Sequence, residues 1–169
     1  MGLVSYTKKR NFKKTPEPSA SHKAMRGRRT NKLIFVVQKH FASHLHYDFR
    51  LEEGGALKSW AVPKGPPKKA GEKRLAVQVE DHPLAYARFH GTIPKGQYGA
   101  GSVEIWDRGT YEISERGRGS MSFILRGKKL KGRFSLVRFR PPSRGQSTLR
   151  RGGGPPRQWL LIKQKTIRS

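Results

Sequence analysis

The chain has 169 residues, enough for one domain with a sizeable core and too few for a multidomain machine. Its 37 Lys and Arg against 11 Asp and Glu give a formal net charge of +26, which suits a polyanionic partner and not a small neutral substrate. With no cysteine, disulfides, thiolate metal sites and Cys nucleophiles are excluded together, and any metal falls to His, Asp and Glu.

In chain order, residues 1–32 carry 10 basic side chains and 1 acidic one, residues 33–113 carry 11 and 9, and residues 114–169 carry 16 and 1. The excess charge therefore flanks a nearly neutral middle. The first 32 residues, with Lys8, Lys9, Arg10, Lys13 and Lys14 ahead of Thr15-Pro16-Glu17-Pro18, have little apolar periodicity and read as a basic flank that is extended or partly disordered. Residues 33–169 read as the folded domain. Short apolar and aromatic runs between Gly and Pro predict strands at 33–37, 45–51, 57–62, 75–79, 103–106, 111–113, 122–125, 134–139 and 159–162. Such a pattern makes an all-β protein, a mostly antiparallel barrel or sandwich. A short helix is expected at 84–89, after Pro83, or within the N-terminal flank. The run Gly96-Gln97-Tyr98-Gly99-Ala100-Gly101 precedes a strand instead of opening a helix, so it reads as a turn and not as a dinucleotide loop. Residues 140–157, rich in Arg, Gly and Pro, read as a long basic loop before a returning strand. No run is long and apolar enough for a membrane span or a signal peptide, so a cytoplasmic, nucleoid-associated protein is expected.

The segment from His44 to Glu52 alternates throughout. As a strand it places Leu45, Tyr47, Phe49 and Leu51 on one face and His44, His46, Asp48, Arg50 and Glu52 on the other. The plain reading is an amphipathic strand with one face in water. Two imidazoles and a carboxylate at alternate positions can instead converge on one cation, with His40 supplying a further imidazole from upstream, and such a set suits Mn, Zn or Fe(II). Arg50, next on the same face, offers a fork for two phosphate oxygens. A second strand gives Arg74, Ala76, Gln78, Glu80 and His82 one parity and ends in Glu80-Asp81-His82-Pro83, with Tyr86 four residues beyond His82. Laid beside the His46 strand, Arg74, Glu80 and His82 would join one pocket. Lys64, in Pro63-Lys64-Gly65-Pro66-Pro67-Lys68-Lys69, reads as a phosphate contact or part of a solvated charge run. Tyr47, Trp60, Trp106 and Trp159 read as core or as base-stacking surfaces.

On Gln38-Lys39-His40, Leu45 through Glu52, Lys58-Ser59-Trp60-Ala61-Val62-Pro63-Lys64-Gly65, Glu80-Asp81-His82-Pro83, Ile93 through Gly101 and Trp106-Asp107-Arg108-Gly109, the chain resembles the 3′-phosphoesterase module of bacterial DNA ligase D and its free-standing relatives. The likeness runs from about residue 6 to 163. It implies a closed antiparallel β-barrel with a crescent-shaped groove, short flanking helices and basic tails. It also implies that His40, His46 and Asp48 hold a metal, usually manganese, and that Arg50, Arg74, His82 and Tyr86 surround the scissile phosphate. Gln38, Lys64 and Glu80 match supporting positions, as do Arg10 and Glu17 in the N-terminal segment, where Asn11 stands in place of the family's Asp. The Arg-rich 140–157 stretch has no counterpart in that activity.

The activity implied is the trimming of DNA 3′ ends in non-homologous end joining: removal of a terminal ribonucleoside from a primer-template, then hydrolysis of the 3′-phosphate to a hydroxyl. His82 is expected to orient or protonate the phosphate or the leaving oxygen. Separate ligase, polymerase and end-binding proteins are the expected partners of a monomer, because a strong positive self-field opposes self-association. The basic flank is expected to supply salt-sensitive DNA affinity, so that deleting residues 1–32 weakens binding more than hydrolysis of a small ester. Two other classes compete: a non-catalytic basic nucleic-acid-binding β-barrel, which composition alone favours, and a metal-dependent nuclease cutting internal phosphodiesters.

Overall fold

The computed structural model describes residues 3–20, 32–139 and 157–165. Nine strands account for most of them: β1 (Leu33–Phe41), β2 (Leu45–Glu53), β3 (Ala56–Val62), β4 (Lys73–Pro83), β5 (Gly91–Ile93), β6 (Gly101–Gly117), β7 (Ser120–Gly127), β8 (Lys131–Arg138) and β9 (Gln158–Lys163). A five-residue helix, α1 (Val4–Lys8), and a 3₁₀ turn over Leu84–Arg88 supply the helical residues. Both places where the sequence admits a short helix carry one. None of the described helices is long and apolar enough to cross a membrane.

All pairings are antiparallel. The order β1-β2-β3-β4-β9-β8-β7-β6 closes into a ring because β6 also pairs with β1, and β5 is added to β6 as a ninth strand outside the ring. Closure removes the open edges that a sandwich would leave, so the barrel alternative is the one realised. The expected strands at 103–106 and 111–113 are parts of one 17-residue strand, β6. Asp107-Arg108-Gly109 has the composition of a turn, but Gly109 has another use here. A Cβ at that position would lie 2.0 Å from the Arg126 carbonyl oxygen, so the glycine admits the close approach of β7. The three residues of β5 are too few to show periodicity.

Period-two alternation fills the barrel with Phe35, Val37, Phe49, Leu51, Trp60, Phe123, Phe134, Leu136 and Leu161. Phe123 stacks on Phe49 at 6.0 Å and on Phe134 at 6.5 Å, so one aromatic column joins three strands. Burying each ring contributes about 1.5–3 kcal/mol. A second apolar cluster lies on the outer wall, where Tyr6, Tyr86, Ala87, Phe89 and Ile93 pack over Val36, Leu57 and Val103. One stretch of wall is thus covered by α1, the 3₁₀ turn and β5.

Of the N-terminal flank, the described residues 3–20 pack on the barrel wall and are not an extended arm. Within residues 3–20, Tyr6, Thr15 and Glu17 are buried, and the Tyr6 hydroxyl donates to the Pro18 carbonyl. A single helical turn uses one apolar residue per face, too short a run to register as periodicity. Residues 21–31 and 140–156 lie outside the described residues, and with them most of the expected basic loop.

Candidate metal and phosphate site

The outer wall beside this cover carries the ionisable face of β2. Neighbouring strands are in register so that Gln38 sits opposite Asp48 and His40 opposite His46. Directly paired residues point to the same side of a sheet, which is why four groups from two strands meet. One donor atom from each of His40, His46 and Asp48 lies within 4.8 Å of the others. His40 Nδ1 is 3.5 Å from one Asp48 oxygen and His46 Nε2 is 3.3 Å from the other.

Both rings are held by their remaining nitrogen. His40 Nε2–H donates to the Gly99 carbonyl at 2.7 Å, and His46 Nδ1–H donates to the His44 carbonyl at 3.2 Å. These bonds aim the free lone pairs at Asp48, the carbonyl-backed arrangement of metal-ligating imidazoles. Two lone pairs facing a carboxylate repel it unless a cation or proton lies between them. A hydrogen bond donated by the protonated ring to Asp48 accordingly raises the His46 pKa. Burial works against the Asp48 charge, but Arg50, His40 and His46 outweigh it and hold the carboxyl well below the usual range. The donor set of two nitrogens and a carboxylate therefore fits a borderline divalent cation.

Arg50 is the second half of the site. Its Nε donates to Gln38 Oε1 at 2.6 Å, its Nη2 lies 3.4 Å from Asp48, and its Nη1 is buried with no partner. Gln38 is itself fixed by donating to the Tyr86 and Phe89 carbonyls at 2.8 and 3.0 Å. A buried guanidinium with one N–H pair left over, beside a cation site, is a seat for an anion oxygen.

The N-terminal segment adds Arg10 to the lining of the groove. Arg10 Nε donates to Glu17 at 2.9 Å, and Arg10 Nη2 lies 3.3 Å from His82 Nε2. The guanidinium has only donors, so His82 Nε2 accepts and Nδ1 carries the proton, donated to the Glu80 carbonyl at 2.9 Å. Burial, with Arg50 and Arg10 nearby, pushes the His82 pKa well below its usual value. The imidazole is neutral. In this arrangement the His82 Nε2 lone pair is taken up by Arg10. The Tyr86 hydroxyl donates to Glu17 at 2.7 Å, and burial raises its pKa, so it too stays protonated. Glu80 accepts from Lys9 at 2.9 Å. Asn11 is exposed, and its amide oxygen accepts from the Lys13 N–H at 3.1 Å, a turn bond that a carboxylate oxygen makes equally well.

Arg10, His40, His46, Asp48, Arg50, Glu80, His82 and Tyr86 thus line one groove of about 230 Å³, with Gln38 and Glu17 behind them. Two expected residues lie elsewhere. Register along β3 and β4 slips between Leu57 and Ser59, so that Ser59 opposes Val79 while Leu57 opposes His82. This bulge breaks the parity read from the sequence. Gln78 opposes Trp60 on the barrel interior, and Arg74, paired with core Leu161, shares that inner face and bonds to Glu72. Lys64 is exposed in the loop after β3 and does not line the groove. Conversely, the sequence reading missed Tyr6, Tyr98 and Gly99. Tyr6 packs against His82 at 5.0 Å, and Tyr98 lines the groove with the Arg10 guanidinium 5.2 Å from its ring. The Gly96–Gly101 turn is a turn as expected, but one that delivers the carbonyl holding His40.

A metal-competent His and Asp cluster beside an anion-ready guanidinium, on the wall of a closed barrel, belongs to the chemistry of phosphoesterases. The family model of the DNA ligase D 3′-phosphoesterase domain matches residues 38–138, and the chain belongs to that family. The chain is 51% identical over 168 residues to the multifunctional non-homologous end joining protein LigD of Pseudomonas aeruginosa, covering 96% of this chain and 18% of that protein. With LigD of Mycolicibacterium smegmatis the identity is 44% over 146 residues, covering 80% of this chain and 19% of the relative. With the Mycobacterium tuberculosis protein it is 45% over 140 residues, covering 80% and 18%. The chain spans about a fifth of the length of the curated relatives it matches.

Proposed function

We propose that this chain is a metal-dependent phosphoesterase that heals DNA 3′ ends in non-homologous end joining. It removes a terminal ribonucleoside from a primer strand and then hydrolyses the 3′-phosphate to a hydroxyl. The observation that carries this reading is the unpartnered, buried Nη1 of Arg50 beside the His40, His46 and Asp48 donor set. A plain phosphate-binding surface needs no such pairing of a cation seat with an anion seat.

His40, His46 and Asp48 would hold the divalent metal, with manganese preferred, which when bound supplies a concentrated positive charge that acidifies water and draws phosphoryl oxygens. Arg50 Nη1 donates to a non-bridging oxygen, with its plane fixed by Gln38 and Asp48, so the donor is preorganised for the charge that grows in the transition state. Neutral His82 orients Arg10, and Arg10 brings a second guanidinium to the same phosphate. Tyr86 and Glu17 set that guanidinium's position. Lys64 contributes as a solvent-side contact to approaching DNA. The 3′-hydroxyl product is what polymerases and ligases consume, so those activities, in the same polypeptide or in separate proteins, are its functional partners on chromosomal DNA in the cytoplasm. The chain acts as a monomer.

A 5′-labelled primer-template ending in a 3′-phosphate or in one ribonucleotide tests the proposal, incubated with manganese, with EDTA, and with the His46→Ala protein. Conversion to a 3′-hydroxyl is expected with manganese alone, and His46→Ala should fall to the EDTA background while keeping the wild-type circular dichroism spectrum. Because the Asn11 turn bond serves as well as that of Asp, the ribonucleoside should be lost too. Binding of both substrates without turnover would overturn the enzymatic reading in favour of a basic DNA-binding barrel. Cutting of an internally labelled DNA with blocked 3′ ends would make it a nuclease instead.

A further inference from the structure

The interior of the barrel holds a second cavity, of about 240 Å³, that shares no residue with the groove. It lies on the inner face of β2 and β3, at the barrel end marked by Glu53 and the β6–β7 hairpin, whereas His40 and His46 lie on the outer face towards the other end of β1 and β2. A cavity of about 150 Å³ admits a benzene ring, so this one has room for a larger planar group.

Its lining includes three aromatic rings, Tyr111 together with Trp60 and Trp159, the last two crossed edge to face with centroids 5.9 Å apart. Trp60 is only 4% exposed, and its Nε1–H is buried with no hydrogen-bond partner. Buried donors are nearly always paired, so an orphan on a cavity wall points to an acceptor that comes from outside the chain. Gln78 stands beside it. Its carbonyl accepts from Trp159 Nε1 at 3.1 Å, which leaves its amide NH₂ as a further donor. At the rim, Arg116 pairs with Glu53, their side chains 53% and 33% exposed. An ion pair so open to water is weakly held, and its guanidinium can exchange to an incoming anion at little cost.

We propose that this cavity binds a nucleotide. The base lies against Trp60, Trp159 and Tyr111 with its ring acceptors on Trp60 Nε1 and the Gln78 amide, and its phosphate takes Arg116 at the rim. A free mononucleotide and an unpaired nucleotide within a DNA strand present the same chemistry. Neither His46 nor Arg50 takes part, so the cavity stands or falls separately from the proposed hydrolysis.

The three tryptophans make the test direct, because each gives one indole N–H signal in a ¹⁵N spectrum of the whole chain. Titrations in EDTA use deoxyadenosine 5′-monophosphate, deoxyadenosine, and a short single-stranded oligodeoxynucleotide. Saturable movement of the Trp60 and Trp159 signals is expected with the mononucleotide, with Trp106 unmoved, and movement with the oligonucleotide alone would assign the site to a strand. Arg116→Ala, at an exposed position, should weaken the phosphate-bearing ligand about tenfold and leave deoxyadenosine unchanged. Trp60→Phe, read on Trp159, should weaken both, and His46→Ala neither. A Trp60 signal that stays fixed with every titrant, or Arg116→Ala and Trp60→Phe proteins that bind as the wild type does, would overturn the proposal.

Discussion

His82 carries its proton on Nδ1 and offers a lone pair on Nε2, an assignment forced by Arg10, which has nothing but donors to present. Burial and two guanidinium groups keep the ring neutral, so its folded pKa lies below that of a free imidazole. The consequence for stability has a definite sign. Between the two pKa values the unfolded chain takes up a proton that the native protein refuses, so acid favours unfolding. The native state therefore has the full His82 contribution above about pH 6.5 and loses it as the pH falls towards the depressed folded value. Urea unfolding followed from pH 8 to pH 5 should show wild-type stability falling on the acid side. The His82→Phe protein should fall less steeply over the same range. Parallel curves for the two proteins would mean that His82 does not titrate as a buried neutral ring.

At the scale of elements, the decisive contact is between the N-terminal segment and the barrel wall. Arg10 and Glu17 reach the groove from a stretch whose composition reads as a basic tether, and Tyr6 is fully buried against His82 and Tyr86. Cutting the flank away is therefore expected to affect hydrolysis as well as DNA affinity. Deleting residues 1–20 should reduce hydrolysis of a small phosphate diester by about 10²-fold or more, because it removes the Arg10 guanidinium and opens the groove to water. It should also lower the melting temperature, since Tyr6 is no longer there to be buried. Retention of small-ester hydrolysis with only DNA affinity reduced would restore the reading of this segment as a tether. The elements also show what a sequence can reveal. In β2 alternation runs unbroken from Leu45 to Glu52, so His46, Asp48 and Arg50 could be placed on one face from spacing alone. In β4 the same logic fails after Val79, since one extra residue in a bulge moves Arg74 to the inside and leaves His82 outside. Bulges, like the turn that sets Gly99 on His40 or the docking of Tyr6, are fixed by tertiary pairing. They leave no period to read.

For the whole molecule, charge is the property that composition announced and the groove does not consume. The described groove uses Arg10 and Arg50 against Asp48, Glu17 and Glu80, so the net +26 is carried elsewhere. Residues 140–156 contribute Arg140, Arg144, Arg150 and Arg151 with no acidic residue. Their attachment points are adjacent, because Arg138 on β8 pairs with Trp159 on β9 and the Phe139 N–H donates to the Gln158 carbonyl at 3.0 Å. A four-residue Gly/Ser turn can therefore replace 140–156 without disturbing the β8–β9 ladder. Among the described residues the bonds of His40, His46, Asp48 and Arg50 go to one another, to Gln38, His44 and Gly99, and not to these strands, so manganese-dependent hydrolysis of a small ester should be unchanged. Affinity for duplex DNA should fall at low salt, and the slope of log K against log salt should become shallower by about 0.9 for each phosphate that the removed arginines had neutralised. Both arms can be read from one set of titrations between about 50 and 200 mM salt, across which a protein making several phosphate contacts loses orders of magnitude in affinity. An unchanged slope would assign the counterion release to the barrel and the N-terminal lysines. A shallower slope with intact ester hydrolysis would identify the arginine-rich stretch as the part of the chain that holds DNA while the groove works on its end.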